Sequence, residues 1–329
     1  MLRAMDSAVS GLRAHQNKLD VIGNNIANVN TYGFKSQNYT FKDAMYQTSS
    51  ASSGGETTDG NATVGGANPA QYGYGAMTGT ITTDMASSTP TYVGGFNATI
   101  NGPGYFMTGS TNNTAGVNVG STDAAANSSA IRDAGFSYTR VGQFSIDANG
   151  YIIDANKNFV YGFRPNAGTL SSVTGYGNTL YALRAPVNTA TGSTAAGDGA
   201  FSGTSIQMSS LEIDNDGVIR GTIQDSNSDT KTTITLGKVA VANFQNQEGL
   251  TKAGNNTFVV KAGDNTGLVS AGQPGGSNSS LMAGYLEASN VDLAKEFADM
   301  ITTERGFQAN AKLITVSDEV LQELVNMKR

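Results

Sequence analysis

The sequence predicts an α+β fold: discontinuous N- and C-terminal helices pair as a coiled coil around a β-rich, mainly antiparallel middle. Three observations carry this. Each end holds a heptad-spaced run of apolar residues. The middle alternates apolar and polar residues between Asn-Gly and Asp-Gly turns. Glycine is abundant, at 41 of 329 residues, where ~7% usage would give about 23.

The C-terminal run extends from Ser289 to Val325. Leu293, Phe297, Met300, Phe307, Ala311, Ile314, Leu321 and Val325 fall on alternating steps of four and three once Glu304 and Asp318 fill the gaps. That is an a/d seam, and it needs a partner because one face of a lone helix cannot bury itself. At about 1.5 Å per residue the helix is roughly 50 Å long. Ser289-x-x-Asp292 suits its start, and Lys328 and Arg329 suit its end. An amphipathic helix lying on a globular core is the alternative reading of this stretch by itself.

Residues 2–29 give the second seam. Leu2, Val9, Gln16 and Gly23 take one position, and Met5, Leu12, Leu19 and Ile26 take the other. Gly11 and Gly23 here, and Gly306 in the other helix, each cost about 1 kcal/mol relative to Ala. Both helices are therefore marginal alone and are expected to firm up only when packed. The expected assembly interface comprises Leu2, Met5, Val9, Leu12, Leu19 and Ile26 with the eight apolar seam residues of the C-terminal run. The helix gives way at Gly23-Asn24-Asn25 through Gly33, where Asn and Gly accept left-handed backbone angles.

Residues 36–75 are expected to be an extended linker, being rich in Ser, Gly, Thr, Ala and Asn from residue 49. Residues 76–285 read as the β body. Phe96–Ile100 leads through Asn101-Gly102-Pro103-Gly104 into Tyr105–Met107. Gln143–Asp147 leads through Asn149-Gly150 into Tyr151–Ile153, and Ser210–Asp214 through Asp216-Gly217 into Val218-Ile219. Each of these is a hairpin signal. Ile234–Phe244 and Thr257–Val260 supply further strands. Residues 110–130 and 165–207 are again rich in small and turn residues, and the second reads as a short variable insertion.

The totals narrow the function. Net charge is −6, the pI is about 4.8 and charged residues are 14%, which argues against nucleic acid and acidic membrane surfaces. No apolar run reaches 18 residues, so no membrane insertion is expected. With no cysteine and one histidine, His15, zinc sites and catalytic triads have no support. His15 reads as a partly exposed helix residue. Asp147-x-Asn149-Gly150 and Asp214-x-Asp216-Gly217 carry Gly at position 4 rather than the 6 of a calcium loop, and hairpin turns explain them. Gly73–Gly79 misses the dinucleotide fingerprint by one residue and precedes no helix pattern. No enzyme activity, cofactor or metal is expected.

Leu19 to Lys35, with its Gly23-Asn24-Asn25-Ile26-Ala27-Asn28-Val29-Asn30-Thr31 core, and Phe41 to Thr48 resemble the N-terminal signature of the bacterial flagellar rod and hook axial proteins. Gly284–Leu293, Glu304–Asn310 and Leu321–Asn326 resemble the C-terminal helix of the same family. Tyr138–Phe144 and Val241–Phe244 resemble strands of its body. The resemblance covers roughly 1–48, 73–163 and 208–329. It implies paired terminal helices over 1–35 and 286–329 forming the inner axial layer of a helical homopolymer. It further implies a tubular hook that bends and transmits torque, with the distal rod as alternative. Implied partners are copies of the chain itself, other axial proteins (rod, hook–filament junction, hook cap) and the export apparatus. Implied localisation is the flagellar hook or basal body, reached by type III export; Met1-Leu2-Arg3-Ala4-Met5-Asp6 shows no core of a cleaved signal peptide. A secreted β-rich adhesin with helical ends is the reading from another class.

An aspartate at Leu12 or Ile314 places a carboxylate in the expected seam. Leu12→Asp and Ile314→Asp are each expected to weaken assembly by several kcal/mol, read as loss of filaments in electron micrographs. Normal filaments from both would mean the seams are not buried.

Overall fold

A computed structural model of the chain describes residues 2–58, 61–112, 116–165, 173, 175–185, 208, 210–224, 231–261, 263–276 and 278–327. Its helices are α1 (Leu2–Ala27), α2 (Ala124–Asp133) and α3 (Leu293–Met327). All strand pairings are antiparallel among the described residues, and the fold is α+β. The chain divides into two compact units. One comprises Met1–Val29, Ser36–Asp84 and Val291–Arg329; the other comprises Asn30–Lys35 and Met85–Asn290.

In the first unit α1 and α3 lie side by side and run antiparallel, Asn25 meeting Glu296 and Gly11 meeting Asn310. The segment expected as a linker instead forms a β-ribbon. Strand Gln37–Asp43 pairs with Ala76–Thr83, Tyr46–Ser50 with Ala70–Gly73, and Glu56–Thr58 with Asn61–Val64. Composition missed it because each strand is paired with one beyond a Gly/Ser-rich tip. The strands themselves carry the Tyr and Thr residues that suit a pleated surface. The ribbon root rests on α1. Asn17 donates from Nδ2 to Thr78 Oγ1 at 3.2 Å, and Lys18 lies over the Phe41 ring. Gly75, at φ +102°, passes so close to Ser7 and Ser10 that a side chain would collide.

The second unit is built around strand Tyr105–Gly109, whose residues are all buried. It pairs with Ser137–Thr139, Phe159–Pro165 and Val241–Phe244. Successive side chains of a strand point to opposite faces, so this strand serves two cores. Phe106 joins Phe144, Ile152, Leu183, Ile219 and Leu281. Tyr105 and Met107 join Ile131, Phe136, Tyr138, Phe163, Phe244 and Phe258.

Two of the three turn signals close hairpins, Phe144–Ile146 with Ile152–Asp154 and Ser210–Ile213 with Val218–Gln224. Gly150 and Gly217 supply the positive φ, at 80° and 74°. The third does not close a hairpin. Ala98–Asn101 pairs with Ser280–Ala283, and Gly102 and Gly104, both at positive φ, carry the chain to another sheet before Tyr105. Residues 110–130 contain α2, which the turn-rich composition hid. Asp123 caps it by accepting from the Ala125 amide, and Ile131 enters the second core. Of the insertion expected near 165–207, strand Tyr176–Ala182 is described, while 166–172, 174 and 186–207 lie outside the described residues.

A buried ionic cluster stitches the second unit together. Lys35 Nζ donates to Glu287 Oε1 and to Ala86 O, each at 2.7 Å. Arg140 donates from Nη1 to Glu287 Oε2 at 3.4 Å and from Nη2 to Gly102 O at 2.9 Å. The Ser88 amide also donates to Glu287 Oε1, at 2.9 Å. Lys35 and Arg140 are 1% exposed and Glu287 is 2%. Arg140 lies over the ring of Tyr105, whose hydroxyl is pushed up to about 12 mainly by burial.

Removing the carboxylate leaves two buried cations facing each other. Glu287→Ala is expected to destabilise this unit by about 3–5 kcal/mol, measured as a lowered urea midpoint in near-ultraviolet circular dichroism. A loss under about 1 kcal/mol would mean that water reaches the cluster.

Candidate assembly surface

Asn25, 1% exposed, is where three elements of the first unit meet. Its Oδ1 accepts from the Gln37 amide at 2.9 Å. Its Nδ2 donates to Gln37 O at 2.9 Å and to Glu296 Oε1 at 3.0 Å. One side-chain amide thus imitates a β-strand partner for the first residue of the ribbon and also fixes the first turn of α3. Burial raises the Glu296 carboxyl above its usual range, against the pull of the Asn25 hydrogen bond. Just before α3, Asp292 Oδ1 accepts from the Ala294 amide at 2.9 Å and the Lys295 amide at 3.3 Å. The cap is therefore Asp292 itself, and α3 begins after it rather than at Ser289. Lys328 and Arg329, expected at the other end, lie outside the described residues.

The stripe of α3 facing α1 is small and polar. Gly306 abuts His15, Asn310 abuts Gly11, and Thr303 is buried. From α1, Ala8, Gly11, Ala14, Ile22 and Asn25 are buried. Small residues let the helices approach closely. The sequence-derived seam residues sit beside this stripe. Met5, Leu12, Leu19, Ile26, Met300, Ala311, Ile314 and Leu321 are half-buried, while Val9, Leu293, Phe297, Phe307 and Val325 are exposed. Leu2 opens α1, and its side chain is outside the described residues. The structure thus leaves eight of these residues half-buried and five exposed.

Sequence reasoning missed Asn25, His15, Asn310 and Thr303 as packing residues, since polar types were assigned to the solvent side. It also passed over Ile301, Leu313, Val316, Val320, Leu324 and Met327, which are exposed. From Leu313 onward their steps of three and four along α3 were readable as a second apolar stripe. With Leu293, Phe297, Phe307 and Val325 they make ten large apolar residues uncovered on one helix. At 3.6 residues per turn they fall on two flanks of α3, Leu293, Phe297, Ile301, Phe307 and Val325 on one and Leu313, Val316, Val320, Leu324 and Met327 on the other, and monomeric surfaces rarely leave so many large apolar residues uncovered on one element. Beside α1, Val9, Arg13, Asn17, Met77 and Thr78 line a groove of about 410 Å³.

Paired chain-end helices with uncovered apolar flanks, on a chain that also carries an antiparallel β unit, define a structural subunit built to associate. Among the described residues no cluster of His, Cys, Asp or Glu could hold a metal, and no helix is long and apolar enough to cross a membrane. A family profile described as "Flagella basal body rod protein" matches residues 5–35, and one described as "Flagellar basal body rod FlgEFG protein C-terminal" matches 282–327. The flagellar basal-body rod protein FlgG of Bacillus subtilis strain 168 is 36% identical over 330 residues, covering 100% of both chains. The flagellar hook protein FlgE of Borreliella burgdorferi is 29% identical over 459 residues, also covering 100% of both. The flagellar basal-body rod protein FlgG of Caulobacter vibrioides is 28% identical over 98% of this chain and 97% of its own. The chain belongs to the flagellar rod and hook protein family. It is a structural component of the flagellar basal body or hook, not an enzyme.

His15 lies half-buried between α3 and Phe41, its ring centroid 5.2 Å from that of Phe41, and its buried Nδ1 has no hydrogen-bond partner. Burial first, and the Lys18 charge second, hold the imidazole below its ordinary 6.5. The unfolded chain then binds the proton more tightly than the folded one. The helix pair keeps its full stability above about 6.5 and loses it progressively as pH falls below that value. Glu296, with a raised pKa, has the opposite sign in a lower window: its contribution is full below the ordinary carboxylate value of 4.5 and is lost as pH rises from there through its raised folded value. Between about pH 7.5 and 5.5 the melting temperature followed by helical circular dichroism is expected to fall, and to fall less in His15→Gln. Equal falls in both proteins would assign the effect to other groups.

Proposed function

We propose that this chain polymerises helically into a tube whose inner wall is made of the paired α1 and α3 helices, and that this tube is the flagellar hook. The observation that carries the polymer is the ten large apolar side chains left uncovered on the two flanks of α3. Each half-exposed side chain is worth about 1 kcal/mol on burial, so the ten together offer about 10 kcal/mol. Association costs about 4–15 kcal/mol in lost freedom. A single neighbour is therefore close to break-even, and contact with several copies at once tips the balance. That arithmetic favours growth at the end of a lattice over dimers in solution.

The hook reading is supported by the runs Thr303–Gln308 and Leu321–Arg329, which resemble compact hook proteins, and by the full-length match to a hook protein. The subunit leaves the cell through the flagellar type III route and joins other axial proteins at the growing tip. A distal rod is the second reading. It is favoured by rod proteins that align end to end over 330 residues, against 459 for the hook relative, which is the longer protein.

Purified full-length chain is expected to form curved tubes in electron micrographs. Straight tubes would favour the rod. Deleting residues 1–28 or 295–329 is expected to abolish tubes and leave a soluble β unit; tubes from either truncation would overturn the polymer reading.

A further inference from the structure

We propose that two reciprocal knob-and-notch pairs set the register of α1 against α3 and thereby decide which apolar residues are left facing outward. The inference rests on the polymer reading above for its purpose, but not for its geometry. A Cβ added to Gly11 would lie 2.9 Å from Asn310 Nδ2, and one added to Gly306 would lie 2.6 Å from His15 Cε1. Gly11 and His15 are one turn apart on α1; Gly306 and Asn310 are one turn apart on α3. Because the helices are antiparallel, each supplies one notch and one knob in complementary order. The same register carries through to Asn25 and Glu296 at 3.0 Å.

Sliding α3 by one turn in one direction would set His15 against Asn310, a collision, and sliding it by one turn in the other would set Gly11 against Gly306, a void. Rotating the helices so that Leu12 and Leu19 meet Phe307 would bury more apolar surface within one copy. It would also withdraw the surface that other copies need. The two glycines hold off both alternatives at a price in helix propensity of about 1 kcal/mol each relative to Ala. Asn310, His15 and their notches act as positioning residues for the assembly surface, much as a polar residue in an apolar seam fixes the register of a coiled coil.

The chain has no cysteine, so spin labels can be placed through Gly23→Cys, where an added side chain meets open space, and exposed Lys295→Cys. In the free full-length subunit the wild-type background is expected to give one narrow interlabel distance. Gly306→Ala is expected to shift it by about 5 Å, one helical turn, or to broaden it. Adding His15→Ala to Gly306→Ala is expected to restore the distance by vacating the space. An unchanged distance in Gly306→Ala, no restoration in the double variant, or a broad wild-type distribution would each overturn the proposal. Sedimentation of unlabelled protein separates the two readings. If Gly306→Ala shifts register and wild type forms no polymer, the key stands and the polymer reading falls. With both correct, Gly306→Ala raises the critical concentration at least tenfold and the double variant returns most of it.

Discussion

The first unit depends on a constraint met at Asn25: the end of α1, the start of the ribbon and the first turn of α3 all need partners for polar groups in one buried place. A single amide satisfies them with one acceptor and two donor bonds. A carboxylate could not donate to Glu296, and an apolar residue would leave the Gln37 amide and carbonyl unpaired at about 1–3 kcal/mol each. The antiparallel register of the helices, the notches of Gly11 and Gly306 and the outward direction of the α3 apolar flanks all follow from that anchor.

The second unit obeys a different logic. Its central strand is buried on both faces and divides two hydrophobic cores, so its stability is that of an ordinary antiparallel β domain. The exception is the Lys35, Glu287 and Arg140 cluster. Buried charges are weak evidence for stability. Here the cluster gathers segments far apart in sequence, at residues 35, 86–88, 102, 140 and 287, into one geometry that no slipped register reproduces.

The contrast between the units bears on assembly. The β unit buries two hydrophobic cores of its own. The helix pair, joined by small and polar contacts and bearing uncovered apolar flanks, gains most from other copies. A subunit of a flagellar axial structure must be stable enough to arrive and incomplete enough to add to an end, and that difference is distributed along this chain by residue type.

Local signals in the residues specified the helical ends, a minority of the strands, the two Asn-Gly and Asp-Gly hairpins and the family. Periodicity and turn chemistry are local, and the terminal motifs are linear. They misjudged what depends on distant partners. The Gly/Ser-rich stretch became a ribbon because its strands pair across the tip, and the Asn101-Gly102 turn leads between sheets because residues 280–283 claim the earlier strand. Which face of each helix turns inward was also beyond periodicity. Apolar spacing marks surfaces that want burial, but only the tertiary structure showed that glycine notches, Asn25 and His15 hold the small, polar stripe inside. Hydrophobicity states how much a surface gains from cover, whereas shape and hydrogen-bond geometry decide what covers it.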